Sequence, residues 1–338
     1  MSNRIAIIVD ERATQGARIV WEHVLRLSRG GRALTICDDE TLELGYAFHQ
    51  AALQLGLGAS WLVIPRISEE TGEPIAVARA ALCESESYVG ITSAGAKSLT
   101  HTRARRLASE AGARGLTLPG FTLDMLSRAA IRTDYGAIAS ATESLAARLN
   151  GTSEIRIVSE GGTDLRLDVH GAEWFAERGL CDNPGQFSNL PGGEVSIAPV
   201  NSNGILVVDG SMSWIGILES PLRMTIAENR IVQIEGDAAH RLRSVLEPFG
   251  QAAFEVAEIG IGMNPQAALC GNTLEDEKIL GSVHVGLGDN SNMGGFSLAR
   301  VVEAPIHGDG VVVSNPQICA DGSLVDPRTF FDTYREVS

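Results

Sequence analysis

Three residues in the C-terminal half of the chain have types and spacing that suit metal chemistry. His307 and Asp309 are separated by one glycine, and residues i and i+2 of a strand project to the same face, about 6 to 7 Å apart. That pair suits one metal ion, although so short a pattern is also typical of a turn. Glu258 interrupts the apolar run of residues 254–261, where an unpaired carboxylate costs several kcal/mol. We therefore expect Glu258 to be paired or bound to a cation.

Two further residues, His284 and Glu194, lie in strand-like segments next to glycines. His284 stands between two valines, and it is either a core histidine bonded to a backbone carbonyl or a ligand. Glu194 opens an apolar strand, and it is either a solvated edge carboxylate or a ligand. An oxygen-rich set with imidazole and no thiolate is typical of sites for one or two hydrolytic divalent cations, and here it comprises Glu194, Glu258, His284, His307 and Asp309.

A run of charged residues, Glu275-Asp276-Glu277-Lys278, precedes His284. Acidic residues favour the first turn of a helix, so the run is predicted to be a solvated helix start. The alternative is that one of its carboxylates hydrogen-bonds to a metal ligand and orients it.

The elements that must position these residues change character near Gly151. Before it, short β-branched runs at residues 4–10, 33–37, 60–65, 87–92 and 115–119 alternate with helical patterns at residues 15–28, 41–55, 74–83, 99–111 and 140–149. Strict alternation of strand and helix predicts a parallel sheet covered by helices. We therefore predict a flavodoxin-like α/β domain over residues 1–150.

After Gly151 the pattern becomes short strands joined by glycine turns. Alternating segments at residues 155–159 and 165–169 flank Gly161-Gly162, and a second pair at residues 224–227 and 231–234 repeats the arrangement. Only residues 238–249 give a sizeable helix pattern. Residues 151–338 are therefore predicted to form a mostly antiparallel, β-rich α+β domain that binds metal and carries out catalysis.

Composition excludes several classes of protein. The 338 residues include 27 Lys and Arg against 42 Asp and Glu, a formal charge of −15 with a pI near 4.9, so nucleic acid and anionic membranes are unlikely partners. No apolar run approaches the length of a membrane helix, and the N-terminal apolar stretch is too short for a secretory signal, which predicts a cytoplasmic protein. The five cysteines are far apart and predict reduced thiols rather than disulfides or a zinc knuckle. Nucleotide-binding and serine-hydrolase motifs are absent, as is His-Glu-x-x-His.

Four blocks in order resemble the aminopeptidase S and aminopeptidase T metallopeptidases: Phe187-Ser-Asn-Leu-Pro-Gly-Gly-Glu-Val195, Ala257-Glu-Ile-Gly-Ile-Gly-Met-Asn-Pro265, Asp276-Glu-Lys-Ile-Leu-Gly-Ser-Val-His284 and His307-Gly-Asp-Gly-Val311. The resemblance implies that the five candidate residues bind two divalent metals, with Glu258 also the general base for a bridging water. The tyrosine that these aminopeptidases carry seven positions after the metal-binding histidine corresponds to Ser291, so one oxyanion donor is missing.

The same superfamily includes 2,5-dihydroxypyridine 5,6-dioxygenase, a mononuclear non-haem iron enzyme of similar length. That resemblance places three ligands at Glu258, His307 and Asp309, whereas the usual iron triad has two histidines and one carboxylate. Retention of Glu194 and His284 favours a two-metal hydrolase, and chain length favours the dioxygenase.

The resulting hypothesis is a metal-dependent hydrolase, aminopeptidase-like, that cleaves a C–N amide bond in a short peptide or a small, possibly cyclic, amide. Its expected cofactors are one or two Zn, Co or Mn ions per chain. The alternative hypothesis is a ring-cleaving dioxygenase with Fe(II). The resemblance also implies a homo-oligomer.

Overall fold

The computed structural model describes residues 10–67, 72–93, 98–291, 301–304 and 306–332. Its α-helices are α1 (Glu11–Ile19), α2 (Leu42–Gln54), α3 (Ala76–Glu84), α4 (Arg103–Glu110), α5 (Leu123–Ser127), α6 (Tyr135–Leu149), α7 (Ala239–Leu246), α8 (Thr273–Asp276) and α9 (Thr329–Asp332). Within the described part of the chain, no helix is both long and apolar enough to cross a membrane.

The strands are mostly short. In chain order they are β1 (Arg32–Cys37), β2 (Gly58–Val63), β3 (Ser87–Thr92), β4 (Arg114–Pro119), β5 (Glu154–Val158), β6 (Asp164–Asp168), β7 (Phe175–Glu177), β8 (Phe187–Ser188), β9 (Glu194–Ile197), β10 (Asn201–Val208), β11 (Ser211–Met212), β12 (Gly216–Ile217), β13 (Leu222–Ala227), β14 (Arg230–Glu235), β15 (Val256–Gly262), β16 (Val283–Gly288), β17 (His307–Val312), β18 (Gln317–Ala320) and β19 (Ser323–Val325).

Backbone contacts divide the chain into two units, residues 1–135 with 179–190 and residues 136–178 with 191–338. The single domain boundary predicted at residue 150 stays a prediction. Helix α6, apart from its first residue, belongs to the second unit, because its buried Ala141, Leu145 and Leu149 are part of that unit's core. Residues 179–190 group with the first unit because they contain β8, which pairs with β4.

The first unit contains a five-stranded parallel sheet in the order β2-β1-β3-β4-β8. The order 2-1-3-4 is that of a flavodoxin-like sheet, which confirms the predicted fold class. Strand β3 is buried at every residue, as expected for a strand covered on both faces. Residues 4–9 of the first predicted strand lie outside the described residues.

The first predicted helix differs from the structure at both ends. It begins at Glu11, four residues earlier than predicted, because the Asp10 carboxylate caps it by accepting a hydrogen bond from the Arg12 backbone N–H at 2.9 Å. It then gives way to a π-helical turn over Val20–Val24 instead of continuing to residue 28.

The second unit contains two antiparallel seven-stranded sheets that contribute to one hydrophobic core. Their orders are β14-β13-β10-β6-β5-β18-β19 and β12-β11-β17-β16-β15-β9-β7. Both predicted hairpins are present, as the antiparallel pairs β5–β6 and β13–β14. The helix predicted over residues 238–249 corresponds to α7 followed by a 3-10 turn over Glu247–Phe249. The predicted β-rich, mostly antiparallel character is confirmed.

Candidate metal centre

Four adjacent strands, β17, β16, β15 and β9, have one apolar face and one face rich in ionisable residues and glycines. Side chains alternate across a strand, so the apolar residues between the charged ones point the other way. These apolar residues are buried in the core of the second unit and include Val195, Ile259, Ile261, Val283, Val285 and Leu287. The opposite face carries all five candidate ligands, which are Glu194, Glu258, His284, His307 and Asp309.

Gly286 leaves the space into which the ligands converge. On β16 it pairs with Glu258 of β15 on one side and with Asp309 of β17 on the other. A Cβ atom at Gly286 would lie 3.0 Å from Asp309 Oδ1 and 3.1 Å from Cε1 of His307. A glycine at this point therefore keeps open a cradle between the two carboxylates and the imidazole.

Glu258, His307 and Asp309, which we call the first group, offer ligand atoms that lie within 4.8 Å of one another. Nε2 of His307 lies 3.5 Å from Asp309 Oδ1 and 3.7 Å from Glu258 Oε2. The His307 side chain is 28% exposed to solvent, whereas the carboxylates of Glu258 and Asp309 are buried. The group is thus open to solvent on the side of the imidazole.

Backbone hydrogen bonds orient two members of the first group. Nδ1 of His307 lies 2.7 Å from the carbonyl oxygen of Asp289, and because a carbonyl only accepts, Nδ1 carries the proton and Nε2 is left for a metal. The backbone N–H of Asp309 donates to Ser213 Oγ at 2.9 Å. Asp309 Oδ1 is buried and has no hydrogen-bond partner among the described residues.

The pKa values of the first group are shifted in opposite directions. Burial opposes the charge on His307, but the carboxylates of Asp309 and Glu258 raise its pKa to about 10. Burial also opposes the charge on Asp309, yet His307 and other cations lower its pKa to about 2. Burial and the nearby Glu194 raise the pKa of Glu258 to about 7. A cation in the group would displace the His307 proton.

Glu194, Glu277 and His284, which we call the second group, also offer ligand atoms within 4.8 Å of one another. The His284 ring lies against Gly260, where an added Cβ would overlap it. Nε2 of His284 lies 3.7 Å from Glu194 Oε2, while Nδ1 is buried without a hydrogen-bond partner in the described part of the chain. Among the described residues, Nδ1 of His284 therefore makes none of the carbonyl bonds typical of a core histidine, and Glu194 is buried rather than solvated.

Lys278 fills the second group. Its ammonium nitrogen makes an ion pair with Glu194 and lies 2.8 Å from Glu277 Oε1, and the lysine side chain is only 4% exposed. Burial opposes its charge, but the surrounding carboxylates raise the pKa of Lys278 well above its usual range. Burial likewise opposes the charge on Glu194, whose pKa Lys278 and His284 lower. Burial raises the pKa of Glu277 to about 8 despite the adjacent ammonium.

A β-bulge lies beside Glu258. Val256 pairs with Leu287 and Glu258 pairs with Gly286, so Ala257 is an extra residue on β15. Its carbonyl oxygen accepts a 3.0 Å hydrogen bond from the Asn290 side-chain amide. The bulge allows Val256 to enter the core while Glu258 stays on the face with the ligands.

The charged run of residues 275–278 begins in a helix, α8, as predicted, but the prediction that it is solvated is wrong. Glu275 and Asp276 are fully buried, and Asp276 accepts hydrogen bonds from the backbone N–H groups of Cys270 and Gly271 at 2.6 and 2.9 Å. Glu277 and Lys278 are site residues that sequence reasoning did not select. The available signal was the lysine itself, because a single cation inside an acidic run next to a candidate ligand strand implies pairing.

The first group has the donor set of a site for a hard or borderline divalent cation. It combines one imidazole nitrogen with two carboxylates, holds the imidazole by its other nitrogen, and leaves a buried carboxylate oxygen without a partner. The cradle at Gly286 provides the space. These residues fit a divalent metal ion such as iron(II), manganese or zinc.

Comparisons with known proteins agree with this architecture. A family model described as NicX, 2,5-dihydroxypyridine 5,6-dioxygenase, matches residues 20–295. The structure of 2,5-dihydroxypyridine dioxygenase from Pseudomonas putida KT2440 aligns with a TM-score of 0.71 at 18% identity, covering 93% of this chain and 95% of that one. Wild-type AmpT from Thermus thermophilus aligns with a TM-score of 0.63 at 16% identity, covering 93% and 96%. No curated protein sequence matches the chain. The predicted resemblance to the dioxygenase family is confirmed by the family model, and the likeness to AmpT shows a shared fold.

Proposed function

The chain belongs to the NicX family of 2,5-dihydroxypyridine 5,6-dioxygenases, and from that premise we propose that this enzyme uses one iron(II) ion and O2 to open the ring of a hydroxylated pyridine. The comparisons support this alternative better than the amide hydrolase, which was the main hypothesis from the sequence. The identity of the substrate beyond its class, and the expected homo-oligomer, stay proposals.

The observation that carries this proposal is the first group. Glu258, His307 and Asp309 are a compact three-residue donor set, and they are the three positions that the dioxygenase resemblance assigned to iron. One histidine and two carboxylates differ from the usual two histidines and one carboxylate. Two carboxylates balance the charge of a divalent ion, which favours iron(II) in a buried position.

The reaction balances without an external reductant. Iron(II), when bound, supplies the means of activating O2 beside the substrate. The family reaction, as its name states, adds both atoms of O2 across one carbon–carbon bond of the ring, so the four electrons that O2 accepts come from the substrate that is cleaved. The protein then needs to provide only the ligands, the open side near His307 and a place for the substrate's hydroxyl proton.

The side chains supply positioning and proton transfer. The Asp289 carbonyl holds the His307 ring so that Nε2 faces Glu258 and Asp309. We assign Glu258 a second role as the acceptor of a proton from a hydroxyl of the bound substrate, since its buried carboxylate belongs to the first group, beside which the substrate would bind.

The test is oxygen consumption. Protein purified anaerobically and loaded with iron(II) is mixed with 2,5-dihydroxypyridine, and O2 uptake is measured together with loss of the aromatic absorption. We expect equimolar O2 and substrate consumption, with both atoms of ¹⁸O2 found in the product by mass spectrometry. Consumption of substrate without O2, or product labelled from H2¹⁸O alone, would contradict the proposal.

Glu258→Gln tests the assigned proton transfer with a side chain of the same size. We expect the fold and part of the iron to remain while turnover falls by about 10² or more, as removal of a general base does. His307→Ala is the matched control because it should lose iron as well as turnover. Wild-type turnover in the Gln variant would exclude the second role of Glu258.

A two-metal amide hydrolase is the second candidate. The observation that favours it is the second group, which is also a three-residue set of metal-binding type. A hydrolase of this kind would need both groups to bind metal, so that two cations activate one water. Turnover of amide substrates with zinc, cobalt or manganese in the absence of O2 would support it.

A further inference from the structure

The second group already contains a cation. The Lys278 ammonium contacts Glu194 and Glu277, two of the three residues whose ligand atoms could surround a metal ion. It has almost no contact with solvent, and its side chain reaches the group from the residue that directly follows Glu277. The ammonium therefore lies where a second metal ion would be expected.

An ammonium and a divalent ion cannot share this position. A metal ion binds carboxylate oxygens at about 2.0 to 2.2 Å and imidazole nitrogen at a similar distance. Ligand atoms that lie within 4.8 Å of one another leave space for one such ion. The lysine nitrogen already lies at hydrogen-bonding distance from Glu277, and it carries a positive charge that repels a metal ion at short range.

The residue type at position 278 is unusual for this chain. Of its 27 basic residues only two, Lys97 and Lys278, are lysine, and all the others are arginine. Arginine presents a planar fork of five donors, whereas lysine presents a compact point charge on a flexible stem. A compact charge suits a position between carboxylates that is the size of one ion.

The histidine of the second group also lacks, among the described residues, the hydrogen bond that orients the histidine of the first group. A histidine that binds metal almost always donates its other ring N–H to a carboxylate, a carbonyl or water. His307 has such a bond to Asp289, whereas Nδ1 of His284 is buried without one in the described part of the chain. The difference agrees with a metal ion in the first group and an ammonium in the second.

We propose that the Lys278 ammonium is a built-in cation that takes the place of a second metal ion, so that the chain holds one metal ion, in the first group. This inference deepens the proposed function, on which it rests for the single metal ion. It also separates the two candidate activities, because a hydrolase that needs two cations to activate water would lack one of them.

Replacement of the ammonium by a neutral side chain of similar length is the direct test. Metal-free Lys278→Met and wild-type protein are titrated with Mn2+ and then with Zn2+, and bound metal is counted by elemental mass spectrometry after removal of free ions. We expect one equivalent in the wild type and two in Lys278→Met. The Met variant should also show a larger rise in melting temperature with metal, since the second ion would neutralise carboxylates that the lost ammonium had paired.

Two matched variants separate charge from structure. Glu277→Gln in the wild-type background should still bind one equivalent, whereas a true two-metal centre would fall from two equivalents to one. The double variant Glu277→Gln with Lys278→Met should return to one equivalent, because the second group has then lost a ligand. The double variant has one unpaired buried acid fewer than Lys278→Met, and Glu277→Gln alone keeps the ammonium paired with Glu194, so both variants test the inference even where Lys278→Met folds poorly.

Two equivalents in the wild type, or one equivalent in folded Lys278→Met, would overturn the inference. The count of bound metal does not depend on turnover. A wild type that binds one metal ion but oxidises no hydroxylated pyridine would therefore contradict the proposed function while leaving the role of Lys278 intact. Ring cleavage by a wild type that binds two metal ions would contradict the role of Lys278 while leaving the ring-cleaving activity intact.

Discussion

The first and second groups lie on the same face of one sheet, yet the protein treats their charges in different ways. In the first group, an imidazole fixed by Asp289 faces two carboxylates, and Asp309 keeps one oxygen without a partner among the described residues. In the second group, two carboxylates meet the Lys278 ammonium, and the imidazole of His284 has no bond at Nδ1 within the described ranges. Similar residue types therefore give one group suited to accept a cation and one that already holds it.

The difference shows that ligand type alone does not define a metal site. Both groups place three donor atoms within 4.8 Å of one another. The neighbours decide the outcome, because a carbonyl that orients an imidazole prepares a ligand, while an ammonium neutralises the carboxylates that a metal would need.

Loss of the two histidines should have unequal effects, and this is the largest difference that we expect. His307→Ala should lower metal affinity by about 100-fold or more, since loss of even a residue that orients a ligand lowers affinity by 10- to 100-fold. His284→Ala should retain one equivalent of metal. Titration of both variants with Mn2+ measures the contrast, and equal losses would mean that the two groups act as one centre.

Metal binding should strengthen as the pH rises. The pKa of His307 is about 10 without metal, so a cation must displace its proton at neutral pH. Affinity should increase about tenfold per pH unit above pH 7, and more steeply below it, where Glu258 with its pKa of about 7 also binds a proton. Competition with a chelator of known pH dependence measures this slope. A flat profile above pH 7 would show that His307 is not a ligand.

A methyl group at Gly286 should damage the first group selectively. Gly286→Ala would place a Cβ 3.0 Å from both Asp309 Oδ1 and Glu258 Cβ, which we expect to cost about 1 to 3 kcal/mol of stability and to weaken metal binding. Gly58→Ala is the control, because a Cβ on that strand of the first unit meets nothing closer than 3.4 Å. Thermal unfolding with and without Mn2+ distinguishes the variants. Unchanged metal affinity in Gly286→Ala would show that the cradle is not the binding space.

Removal of one hydroxyl beside Asp309 should have the smallest effect. Ser213→Ala removes the acceptor for the Asp309 backbone N–H, which we expect to cost about 1 kcal/mol in the free energy of unfolding and to lower metal affinity several-fold. Ser244→Ala, which removes a hydroxyl that donates to carbonyls of its own helix, serves as the control. Denaturant unfolding and metal titration together would detect the change, and identical behaviour of the two variants would remove Ser213 from the site.

The sequence predicted the parts of this protein that follow from local patterns. Strands with alternating residues, such as β5 and β6, bury one face, and the alternation is visible without a structure. His307 and Asp309 were predicted to share a face because a strand has a period of two, and the register of β17 with β16 agrees. The cost of an unpaired carboxylate identified Glu258, which is indeed buried.

The features that the sequence did not predict depend on contacts between distant segments. Lys278 pairs with Glu194, 84 residues earlier in the chain, so its charged run resembled a solvated helix. Strand β8 is two residues long, too short for any periodicity, and it becomes a strand because β4 offers it an edge. Gly286 has no chemistry of its own, and its importance follows only from the register of three strands.

Because of the bulge at Ala257, the number of residues in β15 determines where the Glu258 carboxylate lies, whatever the ligand types are. Because the extra residue sits directly before Glu258 and its carbonyl is tied to Asn290, the position of this carboxylate depends on one backbone unit that has no functional group in the cradle. Asn290 is also the next residue after Asp289, whose carbonyl holds His307. A deletion or insertion of one residue here would move Glu258 relative to His307 while every ligand remained in the sequence. Relatives with the same ligands could therefore differ in reactivity through strand length alone.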